Sequence, residues 1–517
     1  MFKTYFDHTQ IILLLLAGGL MLFSFAFWFG KKEKTAILLL ILSAFFLFSF
    51  AALLDPFLNL WDERFHALVA KNMLQHPLMP TLFDDPVLNI NYDRWDRYHI
   101  WLHKQPLFMW QIALSFKLFG ITEYTLRLPM VIMMTILVAM IWRTGKLLVN
   151  PSTGYYGAII FISTLYITEL VSGRKELEHN DIAFLFYVSA SIWALVEYIS
   201  SGKRQWLICI GVFAGGAILC KWLVGLIVFG GWLSYLVLNR EKELKKYLNF
   251  IYALAITTIM VLPWQILSFS WYPAEASAAF DYNVKHFSVA LEGHGGDAWY
   301  HFNQFPVIYG SLAPYTLIAG VFLLLSKTNN RKLSVAMLAM PFAVYVFFTL
   351  AETKMPSFTV MMAMPVVIIL GSFIDEMFSS LKYVLKRNAI FIPVAALLLI
   401  SVALLRYDIE KIQEDHTMWK AENIYTSRLS HNKEVFNRLQ LRDREVLFNV
   451  KGRHYIEAMY YTGHTAYWFI PSQEQYQELK AAGRPIALIA PIEGVVPEYL
   501  LADPEVRIIN ETIEGWD

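Results

Sequence analysis

The chain has 517 residues, of which 57% are hydrophobic, 16% aromatic and 16% charged. A soluble chain of this size carries roughly 25% charged residues, so the composition excludes a soluble enzyme and points to a multi-pass membrane protein. A formal net charge of +1 leaves no basic surplus for nucleic acid and no acidic tail.

The first apolar run, residues 11–30, is followed rather than preceded by its basic cluster, Lys31-Lys32-Glu33-Lys34. A secretory signal has the opposite order and a small-residue cleavage site, so this run reads as a retained transmembrane helix. Residues 36–54 give the second. A spanning helix needs about 20 mostly apolar residues. Further candidates are 128–148, 154–171, 182–200, 206–219, 222–238, 248–269, 306–325, 333–350, 358–378 and 389–405, about twelve spans in all. Residues 107–119 are apolar but too short to cross and read as an interfacial or half-membrane helix. Cys209 and Cys220 lie in apolar stretches and read as small buried hydrophobes.

The loops between these spans alternate in character. KKEK, WRTGK, SGKRQ, NREKELKK, SKTNNRK and LKYVLKRN are short and rich in Lys and Arg, which the positive-inside rule assigns to the cytoplasm. The opposite set is 55–127, 172–181, the turn at Lys221, 270–305 and 351–357. It holds nearly all the unusual acids, histidines and aromatics, which places the chemistry on the extracytoplasmic face. The expected organisation is two N-terminal spans (1–54), a first outer loop with the acids (55–127), a transmembrane core (128–405) and a soluble domain (406–517). In that last part 445–450, 466–470, 486–490 and 506–510 read as strands. Residues 453–461 and 472–482 read as helices, the second capped by Ser472. Alternating strand and helix predicts a small extracytoplasmic α/β domain that guides substrate or stabilises the enzyme.

Asp62 and Glu63 stand just beyond the second span, and carboxylates beside a bilayer are costly to keep without a use. A helix N-terminus accounts for one of them, since a carboxylate there caps free amides. The first loop adds Asp93, Asp96, His99, His103 and Lys104. The second offers Arg174, Lys175, Glu176, His179 and Asp181, with Asp181 also suited to cap the next helix. The third carries His286, His294, Asp297 and His301, and the fourth Glu352 and Lys354. This inventory suits sugar transfer from a lipid phosphate. The leaving phosphate needs cations, and the acceptor hydroxyl needs a carboxylate base near the anomeric carbon. No nucleotide-binding motif is present, and the reaction requires none.

The motifs WDERFHALVAKNM, HKQPLFMWQIALSFKLFGITEYTLRLP, HNDIAF, AILCKWLVGLIV, EGHGGDAWYHF and TKMPSFTVMMAMPVVIIL follow one another between Asp55 and Gly371. In that order the chain resembles the GT-C membrane glycosyltransferases, in particular the bacterial branch related to aminoarabinose (lipid A) transferases and dolichyl- or polyprenyl-phosphate-mannose protein mannosyltransferases. The resemblance implies a multi-pass α-helical membrane fold and makes Asp62 the catalytic base, with Glu63 orienting it or the substrate. Asp181 matches the family's acid after the second outward turn. Lys104, Lys221 and Lys354 match lysines that contact the donor phosphate or headgroup, and His294 matches a histidine that helps hold a divalent metal. Two departures stand out. Position 65 is Phe where the family carries an Arg, leaving Arg64 as the candidate phosphate contact, and His103 replaces the acid before the lysine, which pairs it with His294 as a candidate metal ligand.

The implied activity is transfer of a hexose or pentose, with inversion, from a polyprenyl-phosphate donor. The acceptor is a hydroxyl or phosphate of lipid A, a protein Ser or Thr, or a surface glycan, reached on the periplasmic side of the bacterial inner membrane. The implied partners are donor, lipid or protein acceptor and membrane lipids, without nucleic acid. The competing readings are a transporter or flippase of lipid-linked sugars and a ligase of preassembled glycans. A transporter predicts ionisable residues deep within helices and broken helices in repeated halves.

Overall fold

The computed structural model describes residues 5–88, 94–175, 179–417, 423–491 and 495–515. Asp93 and Glu176 of the loop inventory lie outside the described residues. The helices that build the site are α1 (His8–Phe29), α2 (Glu33–Ala52), α3 (Asp62–Asn72), α4 (Leu107–Phe119), α5 (Glu123–Leu148), α6 (Pro151–Ile162), α7 (Leu165–Val171), α8 (Asp181–Ser201) and α9 (Gln205–Lys221). Their ends follow from local sequence. Asp7 accepts from the Gln10 amide at 2.8 Å while the Gln10 side chain accepts from the Asp7 amide at 2.9 Å, a capping box that opens α1. Thr122 and Thr125 make the same reciprocal pair at the start of α5. Asn150 caps α6 ahead of Pro151, and Gly202 ends α8 at φ 67°.

Among the described residues, eight helices are long and apolar enough to cross a membrane, or up to ten if each of two bent pairs is one span. The pairs are α6 with α7, bent by 56°, and Tyr300–Tyr309 with Ala313–Lys327, bent by 90°. The two other expected spans fall on α9 and on residues 223–238, which are apolar helices but shorter than a full crossing. The short apolar helix expected after Pro106 is α4, whose 13 residues reach about 20 Å at 1.5 Å per residue. Close helix approach depends on glycine where α6 meets the helix Ala363–Leu385. A Cβ on Gly371 would lie 2.4 Å from the Thr153 carbonyl oxygen and 3.0 Å from the Gly157 Cα.

Beyond the last long helix, β1 (Val446–Phe448), β2 (Ile486–Ile489) and β3 (Arg507–Ile509) form a parallel sheet in that order, with Leu447 opposite Ala487 and Ala487 opposite Arg507. Ser472 opens the helix Gln473–Ala481 with a capping box, accepting from the Gln475 amide at 3.2 Å. The strand expected at 466–470 is not formed and is reduced to one bridge between Leu447 and Ala466. The Asn449 and Val450 amides still donate to the carbonyls of Phe469 and Tyr467, both at 3.0 Å, but Asn449 at φ 59° departs from extended backbone and the regular ladder stops there. The domain packs on the first loop through aromatic rings, with Phe83 stacked on both Tyr455 and Tyr467 at centroid distances of 5.8 and 5.6 Å.

Candidate active site

Asp62 is the first residue of α3, held there by an unusual turn. Trp61 has φ 59° and ψ −127°, a region that favours glycine, and holding an L-residue there costs about 1–3 kcal/mol. The Asp62 side chain is buried, and its Oδ2 lies 3.2 Å from the Lys104 ammonium. Lys104 sits in the turn ahead of Pro106, the residue that opens α4. Burial raises the Asp62 carboxyl above its usual range, Lys104 pulls it back, and the nearby Asp181 charge adds to the rise. A carboxylate tuned upward in this way is a better proton acceptor than a free one.

A cavity of about 530 Å³ lies beside this pair, walled by Phe184, Phe287, Phe347, Phe348, Phe358 and Met361, with Lys104 and Lys221 among its polar lining. A smaller recess holds Asp62, Trp95, Tyr282, Glu292 and His294. The two share His103, Lys104, His286, Thr353 and Met355, so an apolar chamber adjoins a polar one through a common wall. Asp181 is the first residue of α8, but it does not cap that helix, because the cap position is Asn180. Its two oxygens instead meet the Lys221 ammonium and the Ser357 hydroxyl. Lys221 closes α9 and sits 4.5 Å over the Phe358 ring.

The structure turns other candidates elsewhere. Glu63, expected as support for Asp62, points about 100° away from it around α3 and is fully buried. Arg127 grips it with two donors at 2.6 and 3.0 Å, and the Asn59 amide donates to it at 2.6 Å. Gly173, at φ 79°, leaves the room this needs, since a Cβ there would lie 2.2 Å from Glu63 Oε1. Arg64, expected at the donor phosphate, is buried against Glu457 of the C-terminal domain at 3.1 Å. One helical residue is a turn of about 100°, and that turn carries it off the cavity side. Lys354 is likewise drawn away. Its ammonium donates to the carbonyls of Thr349 at 3.0 Å and Ala351 at 2.5 Å, at the C-terminus of the helix Arg331–Leu350.

His294 and His103 both line the recess, where the His103 ring stacks on Trp95 at 4.6 Å and burial pushes its pKa well below the usual histidine value. Among the described residues no group of three or more His, Cys, Asp and Glu side chains converges as a metal set.

Several residues around this site had no role assigned from sequence. Arg127 also donates to the carbonyls of Ala52, Asp55 and Phe57, at 3.0, 2.5 and 2.8 Å. Asp55 and Glu169 flank His416 at 2.9 and 3.1 Å, and that contact holds the Asp55 carboxyl down at about 2 against the upward push of burial. His66 and His179 meet ring to ring at 2.9 Å, both lowered by burial, His179 to about 3. A lone Arg just before the apolar run 128–148 is the sequence signal that points to Arg127. Ser357, in TKMPSF, had only its neighbour Lys354 to mark it.

Comparisons with known proteins agree with this architecture. The family model described as dolichyl-phosphate-mannose-protein mannosyltransferase matches residues 103–267, a segment that includes Lys104, Asp181 and Lys221. An uncharacterized protein of Aquifex aeolicus is 24% identical over 366 residues, covering 70% of this chain and 67% of that protein. The undecaprenyl phosphate-alpha-4-amino-4-deoxy-L-arabinose arabinosyl transferase 1 of Pseudomonas fluorescens is 22% identical over 328 residues, 61% of this chain. That match spans 56% of the Pseudomonas protein's length. The crystal structure of ArnT from Cupriavidus metallidurans bound to undecaprenyl phosphate superposes with a TM-score of 0.60 at 15% identity, covering 85% of this chain and 86% of that one. In fold this chain is similar to ArnT of Cupriavidus metallidurans, and in sequence it resembles, over part of its length, dolichyl-phosphate-mannose-protein mannosyltransferases and the Pseudomonas aminoarabinose transferase.

Proposed function

We propose that this chain is an inverting glycosyltransferase that moves one sugar from a polyprenyl-phosphate donor to an acceptor on the extracytoplasmic face of a bacterial inner membrane. The observation that carries the reading is the Asp62–Lys104 pair, set in a polar recess whose wall is shared with an apolar cavity. An isoprenoid tail suits the apolar side, and the donor phosphate suits the ammonium at the boundary. The acceptor O–H gives its proton to Asp62 as the acceptor oxygen bonds to the anomeric carbon. The bond from that carbon to the phosphate oxygen breaks, and Lys104 meets the charge left on the polyprenyl phosphate. Asp181 is already bound by Lys221 and Ser357, which favours a single displacement through Asp62 alone.

The relatives guide the choice of substrates. Undecaprenyl phosphate is the lipid bound to the structural neighbour, and an undecaprenyl-phosphate pentose is named as the donor of the Pseudomonas relative. Lipid A, a protein Ser or Thr and a surface glycan each present a hydroxyl that the same base can use. The test is mass spectrometry of lipid A and of periplasmic proteins from cells with the wild-type chain and with Asp62→Asn. A single added hexose or pentose present only with the wild type supports the reading. Unchanged glycan profiles, or full transfer by Asp62→Asn, would reject it.

A further inference from the structure

The C-terminal domain reaches the turn before Asp62 in a way that simple domain packing does not require. The Arg453 guanidinium lies 3.5 Å over the Trp61 ring, on the one residue of that turn with a left-handed backbone. The Arg453 carbonyl accepts from Arg64 at 3.2 Å, and Glu457 pairs with the same Arg64 at 3.1 Å. Upstream, the Tyr461 hydroxyl accepts from the Leu58 amide at 3.1 Å and the Tyr425 hydroxyl from the Leu60 amide at 3.2 Å. Residues on either side of Asp62 are therefore fastened to the C-terminal domain.

We infer that the C-terminal domain is a positioning element of the active site, in which Arg453 holds Trp61 in its strained turn and so fixes where Asp62 meets Lys104. The inference rests on the reading of Asp62 as the base. Arg453 touches no reacting atom in this scheme and acts through Trp61. A turn that glycine would adopt without help is kept by Trp, and the side chain whose Cβ makes it strained also carries the ring by which the domain grips it. Domain and core then become one catalytic unit, although no residue of the C-terminal domain is among those that line the cavity or the recess.

The test uses the full chain in detergent, with Lys433→Ala as a control. Lys433 also bridges the domain to this loop, donating to the Pro56 carbonyl at 2.7 Å, but it leaves Trp61 alone. Hydrogen exchange of amides 59–65 should speed up in Arg453→Ala, stay unchanged in Lys433→Ala, and recover protection in the Arg453→Ala, Trp61→Gly double variant, whose turn needs no clamp. With undecaprenyl-phosphate-linked 4-amino-4-deoxy-arabinose as donor, kcat should fall about 10²-fold in Arg453→Ala with donor KM unchanged. The double variant and Arg453→Lys should both regain part of that loss. Unchanged exchange in Arg453→Ala, or no recovery by the double variant, overturns the clamp. So does a loss of kcat that only tracks loss of folded protein. The exchange arm decides the clamp by itself, and absence of turnover by the wild type counts against the donor reading alone.

Discussion

Asp62 and Glu63 are neighbours in sequence, both buried, on the first turn of one helix, yet they belong to different regions. Glu63 lies in a cluster where every charge is answered. Arg127 meets both its oxygens, and a short way off Asp55 and Glu169 flank His416. Asp62 lies in the other region, where one ammonium at 3.2 Å stands beside open cavity. About 100° of helical rotation separates a carboxylate that locks helices together from one left with capacity to bind. Burial alone therefore does not mark a catalytic acid. Unspent hydrogen-bonding capacity facing a cavity does.

The largest effect should come from Asp62→Asn, which leaves the locked cluster untouched. Turnover should fall about 10²–10⁴-fold, the range of a lost general base. Thermal stability should not fall, because a carboxyl raised by burial carries a penalty for being ionised. That penalty weighs against folding as pH rises through the raised value, and Asn removes it. For the same reason the wild-type rate should drop as pH falls through a value above the usual carboxylate range, since the base must be ionised. A stopped assay of sugar transfer across pH, read beside a melting curve, checks both. A wild-type acid limb at the ordinary carboxylate value would place the working base elsewhere.

Next in size is Arg127→Ala, which attacks the locked region. It strands Glu63 as a buried charge, and breaking such a pair costs about 3–5 kcal/mol. The expected outcome is a large loss of melting temperature in detergent. Replacing both partners, Glu63→Leu with Arg127→Met, should recover much of it, because the pair's own desolvation cost disappears. A double variant no more stable than Arg127→Ala would mean that the carbonyls of Ala52, Asp55 and Phe57, rather than Glu63, are what Arg127 is there to serve.

The two regions differ equally in how far they could be read from sequence. The helical membrane class and the segments that helices occupy follow from apolar runs about 20 residues long, and their ends from caps such as Thr122 and Ser472. Asp62, Lys104, Asp181 and Lys221 were legible as candidates because each is a polar group at the edge of an apolar run. What each one pairs with was not legible. Asp62 meets Lys104 across 42 positions and His416 meets Asp55 across 361, and no local pattern encodes either. The resemblance makes Arg64 and Lys354 candidate phosphate ligands, but a helical rotation and a row of free helix-end carbonyls claim them first. The bends in the two broken spans, and the strain at Trp61, are likewise tertiary outcomes that no hydropathy window shows.

Lys104→Ala should act at an intermediate scale, with donor KM rising about 10-fold or more for one lost charge-assisted bond and acceptor KM unchanged. An unchanged donor KM would remove Lys104 from the phosphate contacts and leave Lys221 as the cation on the cavity wall.

The smallest effect, and the sharpest test of the distinction between the regions, is Lys354→Met. By the resemblance Lys354 is a phosphate candidate like Lys104, but its ammonium already answers the carbonyls that end the helix Arg331–Leu350. A cation at a helix C-terminus contributes about 0.3–1 kcal/mol, and Met keeps the buried length of the stem. The expected result is a small drop in melting temperature with donor KM within about twofold of wild type, the size of change that carries about 0.4 kcal/mol. A rise in donor KM matching that of Lys104→Ala would show that Lys354 leaves its carbonyls when the phosphate arrives. The line between spent and unspent groups would then have to be drawn in the donor-bound state rather than in the free one.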